Sequence, residues 1–145
     1  MRFTVWYWLA DLVLLAIIFG LNTLAWKYFW YWRFSHYGFD KLMHVLAGLF
    51  IGLTVTGLWV WWQRKRQKPL KLEELLAWIG LTVLAVGGVW ELIERGYRHH
   101  EFFYWIKPFT MISDGWFDST LDFVGDLVGA SLGALSFKLW NKTEN

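Results

Sequence analysis

The residues of this chain best suited to chemistry are acids and a histidine embedded in apolar sequence. Asp118, Asp122 and Asp126 recur every four residues, which places them on one face of a helix over about 12 Å of its length. They open an apolar segment, Leu121 to Trp140, long enough to cross a bilayer at about 20 residues per span. A carboxylate inside hydrocarbon costs on the order of 2.5–3.5 kcal/mol on insertion scales, so each needs a partner or a task. Asp40 and His44 lie one turn apart at the start of an earlier apolar segment, and Glu91, Glu94 and Arg95 close another. One imidazole with several carboxylates is a hard, oxygen-rich donor set that suits Mg, Mn, Ca, or a non-haem Fe or Zn ion. Such an ion would activate a water as a nucleophile. On that reading the metal ligands are His44, Glu91, Glu94 and Asp122, with Asp118 or Asp126 as catalytic base. Arg95 or Arg98 would meet an anionic group of a lipid-linked or envelope substrate, since guanidinium matches phosphate geometry. Neither Glu-x-x-His nor His-Glu-x-x-His occurs, so the pattern names no particular metalloenzyme. The same acids, partly protonated, would also form a proton or cation path. Paired with Arg95, Arg98 or Lys27, they would instead hold together an accessory subunit of a larger membrane complex. Spacing alone leaves the three readings open.

Each residue also has a plainer role. Asp40 suits an N-cap. Ser119 and Asp122 resemble a capping box with Asp in the Glu place, and Asp118 is comfortable just before it. Glu91 can pair with Arg95 one turn on. Asp126 lies beyond the first turn, and Glu94 sits where the helix dipole disfavours negative charge. Those two acids call for a proton or a cation.

The elements that position these groups read as membrane spans. Of 145 residues 57% are hydrophobic, 18% are charged and 13 are Trp. A soluble domain of this size could not hide that much apolar surface, so one integral membrane domain without a soluble appendage is expected. The expected fold is all-α, an antiparallel bundle of four transmembrane helices over about residues 4–32, 40–62, 73–95 and 119–140. A basic linker, 63–72, carries Pro69, and an outer loop covers 96–118. No short apolar region with a small-residue cleavage site opens the chain, so the first span is expected to be retained. A net charge of +2 gives no reason to expect nucleic acid. The chain has no Cys, which excludes disulfides, thiolate metal sites and a cysteine nucleophile.

Antiparallel order brings the start of span two, the end of span three and the start of span four to one membrane face. Seven of the twelve acids gather there: Asp40, Glu91, Glu94, Asp114, Asp118, Asp122 and Asp126. The linker holds five basic residues, Arg64, Lys65, Arg66, Lys68 and Lys71. It should therefore lie in the cytoplasm with both termini, leaving the acids on the outer side. Trp59, Trp61 and Trp62 then mark the inner interface, and Trp26, Trp30 and Trp32 the outer one. Gly48 and Gly52, with Gly125, Gly129 and Gly133, form small-residue stripes for close helix approach, beside the aspartates. Asp11 should find a local hydrogen bond or an inner-surface salt bridge, and Lys27 should snorkel outward or reach the acids. Phe102 to Lys107 reads as an interfacial lid.

Phe39-Asp40-Lys41-Leu42-Met43-His44 with Gly48, then Trp90-Glu91-Leu92-Ile93-Glu94, then Asp114 through Asp122 with Gly129-Ala130 resembles the YjdF-like family of small bacterial inner-membrane proteins. More distantly it is similar to the VanZ-like proteins, which are linked to glycopeptide resistance. The resemblance covers about residues 36–135, with the motif order intact. It implies Asp40, His44, Glu91, Glu94, Asp118 and Asp122 as the family's polar set, and a bacterial inner-membrane location. This chain departs in lacking the extra spans many relatives carry and in having Asp126.

Overall fold

The computed structural model describes residues 2–34, 38–99 and 116–142, with side chains described outside 2–4, 32, 94–99 and 137–142. The expected lid, Asp114 and the side chains of Glu94, Arg95 and Arg98 lie outside the described residues. The described chain is all-helical: α1 (Arg2–Lys27), α2 (Trp30–Arg33), α3 (Phe39–Lys65), α4 (Leu72–His99) and α5 (Trp116–Lys142).

Helix boundaries follow backbone chemistry. Sequence alone extends the first helix to Trp32, but α1 stops at Lys27. Phe29 takes a left-handed backbone with φ 56°, which ends the α ladder and starts the single turn α2. Helix α3 begins after Gly38 at φ 70°, and no side chain caps it. Asp40 is therefore not the N-cap. It lies inside the first turn, where negative charge still suits the dipole. At the other end Gln67 sits at φ 52°. Its N–H donates to the Arg64 carbonyl at 3.0 Å, and the Lys68 N–H donates to that of Gln63 at 3.0 Å. This is a Schellman closure with glutamine at the left-handed position that usually takes glycine.

Helices α3 and α5 run parallel and form the central pair. A Cβ on Gly48 would lie 2.7 Å from Asp126 Cα and closer still to its carbonyl oxygen, and one on Gly129 or Gly133 would lie 2.7 Å from the Leu49 or Leu53 nitrogen. The glycine stripes therefore do set backbone-to-backbone contact, the packing by which helices associate where lipid is as apolar as leucine. Helix α1 runs antiparallel to α3 and docks on Gly57, where a Cβ would meet the Tyr7 and Trp8 rings at 2.9 Å. The Tyr7 hydroxyl donates to the Leu53 carbonyl at 2.7 Å and lies 3.1 Å from Ser136 Oγ. Asp11 finds its partner on another helix, for the Thr54 hydroxyl donates to its Oδ2 at 2.8 Å. Helix α4 returns antiparallel, packing Leu75, Ile79 and Val83 against Val60, Ala130 and Ala134. Trp59 is buried in this core and so does not belong to an interfacial belt, whereas Trp61 and Trp26 are exposed.

Three helices are long and apolar enough to cross a membrane: Val5–Lys27, Phe39–Lys65 and Leu72–Ile93. Among the described residues α5 is not one of them. It carries three aspartates within its first eleven residues, Trp116 to Asp126.

Candidate cation site

The first turns of α3 and α5 stand side by side because the two helices are parallel and glycine lets them touch. That register sets Asp40, Lys41 and His44 against Asp118, Asp122 and Asp126. The Lys41 ammonium donates to Asp118, to Asp122 Oδ1 at 2.5 Å and to Asp40 Oδ2 at 3.3 Å. One turn on, His44 Nε2 lies 3.5 Å from Asp122 Oδ1, and its Nδ1 lies 3.2 Å from Asp126 Oδ1. An imidazolium donates on both sides of the ring, whereas a neutral imidazole donates on one. Asp122 and Asp126 are 2% and 5% exposed, so water does little to screen them. Gly87 on α4 closes over Asp126, with space for a Cβ only 3.2 Å from its Oδ2.

Asp40, His44 and Asp122 each offer a ligand atom, and these atoms all lie within 4.8 Å of one another. Two carboxylates and an imidazole form a fitting donor set for a divalent ion. Lys41 meets the same carboxylates, but its single charge does not balance them. Among the described residues, four aspartates face Lys41 and His44, which leaves two formal negative charges even with the imidazole charged. A proton or a further cation would offset that excess.

The site residues expected from sequence divide into three sets. His44 and Asp122 are at the centre, with Asp126 and Asp118 on either side. Glu91 is buried, but Ser119 Oγ donates to its Oε2 at 2.5 Å, so it ties α4 to α5. Ser119 acts between helices, three residues inside α5, and not as a cap. The backbones of Glu94 and Arg95 belong to α4, while their side chains lie outside the described positions. Lys41 is the member of the cluster that the sequence pattern does not single out. Its signal was its place one turn before His44, on the face that meets the aspartates. Lys27 is exposed, its ammonium 5.5 Å from the Tyr28 ring centroid.

A cavity of about 570 Å³ borders the site. Its walls are mostly apolar, with Ile18 from α1, Met43 and Ile51 from α3, and Val86, Trp90 and Ile93 from α4. Asn22, Tyr31, Asp40, His44 and Asp126 supply polar groups. The Tyr31 hydroxyl donates to Asn22 Oδ1 at 2.7 Å. Among the described residues α1 and α4 do not pack directly on each other, and the cavity lies between them.

Long apolar helices around a buried charge cluster define a helical membrane protein. The chain belongs to the family described as "Predicted membrane protein (DUF2238)", whose model matches residues 2–143. The YjdF-like resemblance is consistent with that membership. No curated protein and no solved structure matches the chain.

Proposed function

We propose that this is a four-span membrane protein that binds a divalent cation between α3 and α5, on the non-cytoplasmic side of a bacterial inner membrane. The observation that carries the reading is the convergence of Asp40, His44 and Asp122, their ligand atoms within 4.8 Å of one another. The excess of negative charge around Lys41 supports it. For α5 as the fourth span, the support is its outward face. Val124, Leu127, Val128, Leu132 and Leu135 are exposed and suit acyl chains, while Asp122 and Asp126 point into the bundle. The basic linker after α3 supports the orientation, with both termini cytoplasmic.

A bound ion would supply Lewis acidity for hydrolysis of a lipid-linked or envelope substrate. In such a reaction Asp126, which borders the cavity, is better placed as a base than Asp118, which is held on Lys41. Elemental analysis of the protein purified in detergent tests the proposal. A stoichiometric divalent ion is expected, and it should be lost in His44→Ala and Asp122→Asn. Finding none as purified, and none gained on soaking, refutes it.

Proton or cation conduction is the second reading, favoured by His44 standing between Asp122 and Asp126. Flux in liposomes that survives Asp126→Asn would count against it.

A further inference from the structure

Beside the cation site, the cavity between α1, α3 and α4 has a chemistry of its own. Its volume of about 570 Å³ falls within the range of about 300–1,000 Å³ typical of small-molecule sites. Hydrocarbon lines most of it, with Trp90 and Tyr31 adding aromatic faces. An acyl chain would need no more than that. The cavity also presents two carboxylates, Asp40 and Asp126, and His44 beside them. Among the described residues no lysine or arginine lines it; Lys41, behind the wall, is shared among Asp118, Asp122 and Asp40, and His44 Nδ1 lies 3.2 Å from Asp126 Oδ1. The described lining is therefore apolar, with two carboxylates and one imidazole at its polar end.

We infer that the cavity binds a hydrophobic organic cation, an apolar body carrying a quaternary or protonated amine or an equivalent onium centre. Apolar surface accepts the body, aromatic faces favour a cation over a neutral group, and Asp126 and Asp40 meet the charge. An anionic amphiphile is disfavoured, because its charge would be desolvated against carboxylates of like sign. The occupant differs from the small ion at Asp40, His44 and Asp122, although Asp40 and His44 border both. The gap between α1 and α4 gives a bilayer-dissolved molecule a lateral way in.

The test uses two probes of nearly the same size and shape and opposite charge, tetraphenylphosphonium and tetraphenylborate. Binding to the full-length protein in detergent is measured by isothermal titration against a micelle blank, with a chelator present. Saturable phosphonium binding without borate binding is expected. Asp126→Asn should weaken it by about tenfold or more. Ala47→Phe, which fills the cavity without changing the number of charges, should abolish it. Glu73→Gln, at an exposed acid in the first turn of α4, should leave it unchanged. Equal binding of both ions, or phosphonium binding untouched by Asp126→Asn and Ala47→Phe, overturns the inference. So does the absence of phosphonium binding to folded protein. Should Asp126→Asn fail to fold, the comparison of the two ions and Ala47→Phe still decide. Because the chelator strips divalent ions, phosphonium binding in its presence stands even where elemental analysis finds no metal.

Discussion

Lys41 on α3 reaches Asp122 on α5 at 2.5 Å across 81 positions of sequence. The same ammonium also meets Asp40 and Asp118, so one flexible side chain holds the starts of two helices together. A compact ammonium on a flexible four-carbon stem, with three rotatable donors, suits a cluster of three carboxylates.

Lys41→Met should therefore destabilise the fold. Removing one member of a buried charge group costs about 3–5 kcal/mol, and the partial exposure of Lys41 and Asp118, 29% each, moves the expectation to the low end. The variant should also regain more stability from an added divalent ion than the wild type, because the ammonium no longer competes for Asp40 and Asp122. Thermal unfolding in detergent with and without Mg or Mn checks both. An equal metal-induced shift in the two proteins would count against the ion sharing these carboxylates.

Ser119→Ala should cost about 1–3 kcal/mol, the penalty for a buried polar group left without its donor. Glu91 is buried, and Ser119 is its hydrogen-bond donor on α5. Ser119→Thr keeps the hydroxyl and should recover most of the loss. Unfolding of the three proteins side by side gives the answer.

Two glycine substitutions should differ in sign. Gly48→Ala drives a methyl into the Asp126 backbone and should lower stability by about 1–3 kcal/mol or more, as overpacking does. Gly80 has nothing within 4 Å of the added Cβ, so Gly80→Ala should be neutral or stabilise by about 0.5–1 kcal/mol. Loss of stability at both positions would mean that the α3–α5 contact is not what the glycine serves.

Gln67→Gly should stabilise the turn after α3 by up to about 1 kcal/mol, because glycine carries no Cβ penalty in the left-handed region. The N–H bonds of Gln67 and Lys68 to Arg64 and Gln63 need only the backbone and should persist. A lower melting temperature for Gln67→Gly would indicate that the glutamine side chain matters there.

Much of this architecture was legible in the chain. Apolar length marks α1, α3 and α4 as segments able to span a membrane, since a helix must satisfy its own backbone in lipid. The four-residue spacing of Asp118, Asp122 and Asp126 fixes them on one face, and the glycines beside them say which face is turned inward. Antiparallel order puts the first turns of α3 and α5 at the same end. All of these are local or periodic properties, and helix geometry converts them directly into direction.

Which side chain meets which was decided only when the helices packed. Register between α3 and α5 depends on glycines seated against Asp126, Ala130, Leu49 and Leu53, contacts that no sequence window contains. That register gave the aspartates to Lys41 and His44, and the approach of α4 gave Glu91 to Ser119. It also left α1 and α4 apart, so that a cavity lined by hydrocarbon ends at Asp126. Spacing along a helix sets the direction of a charge, but the partner that answers it lies on another helix, and packing chooses it.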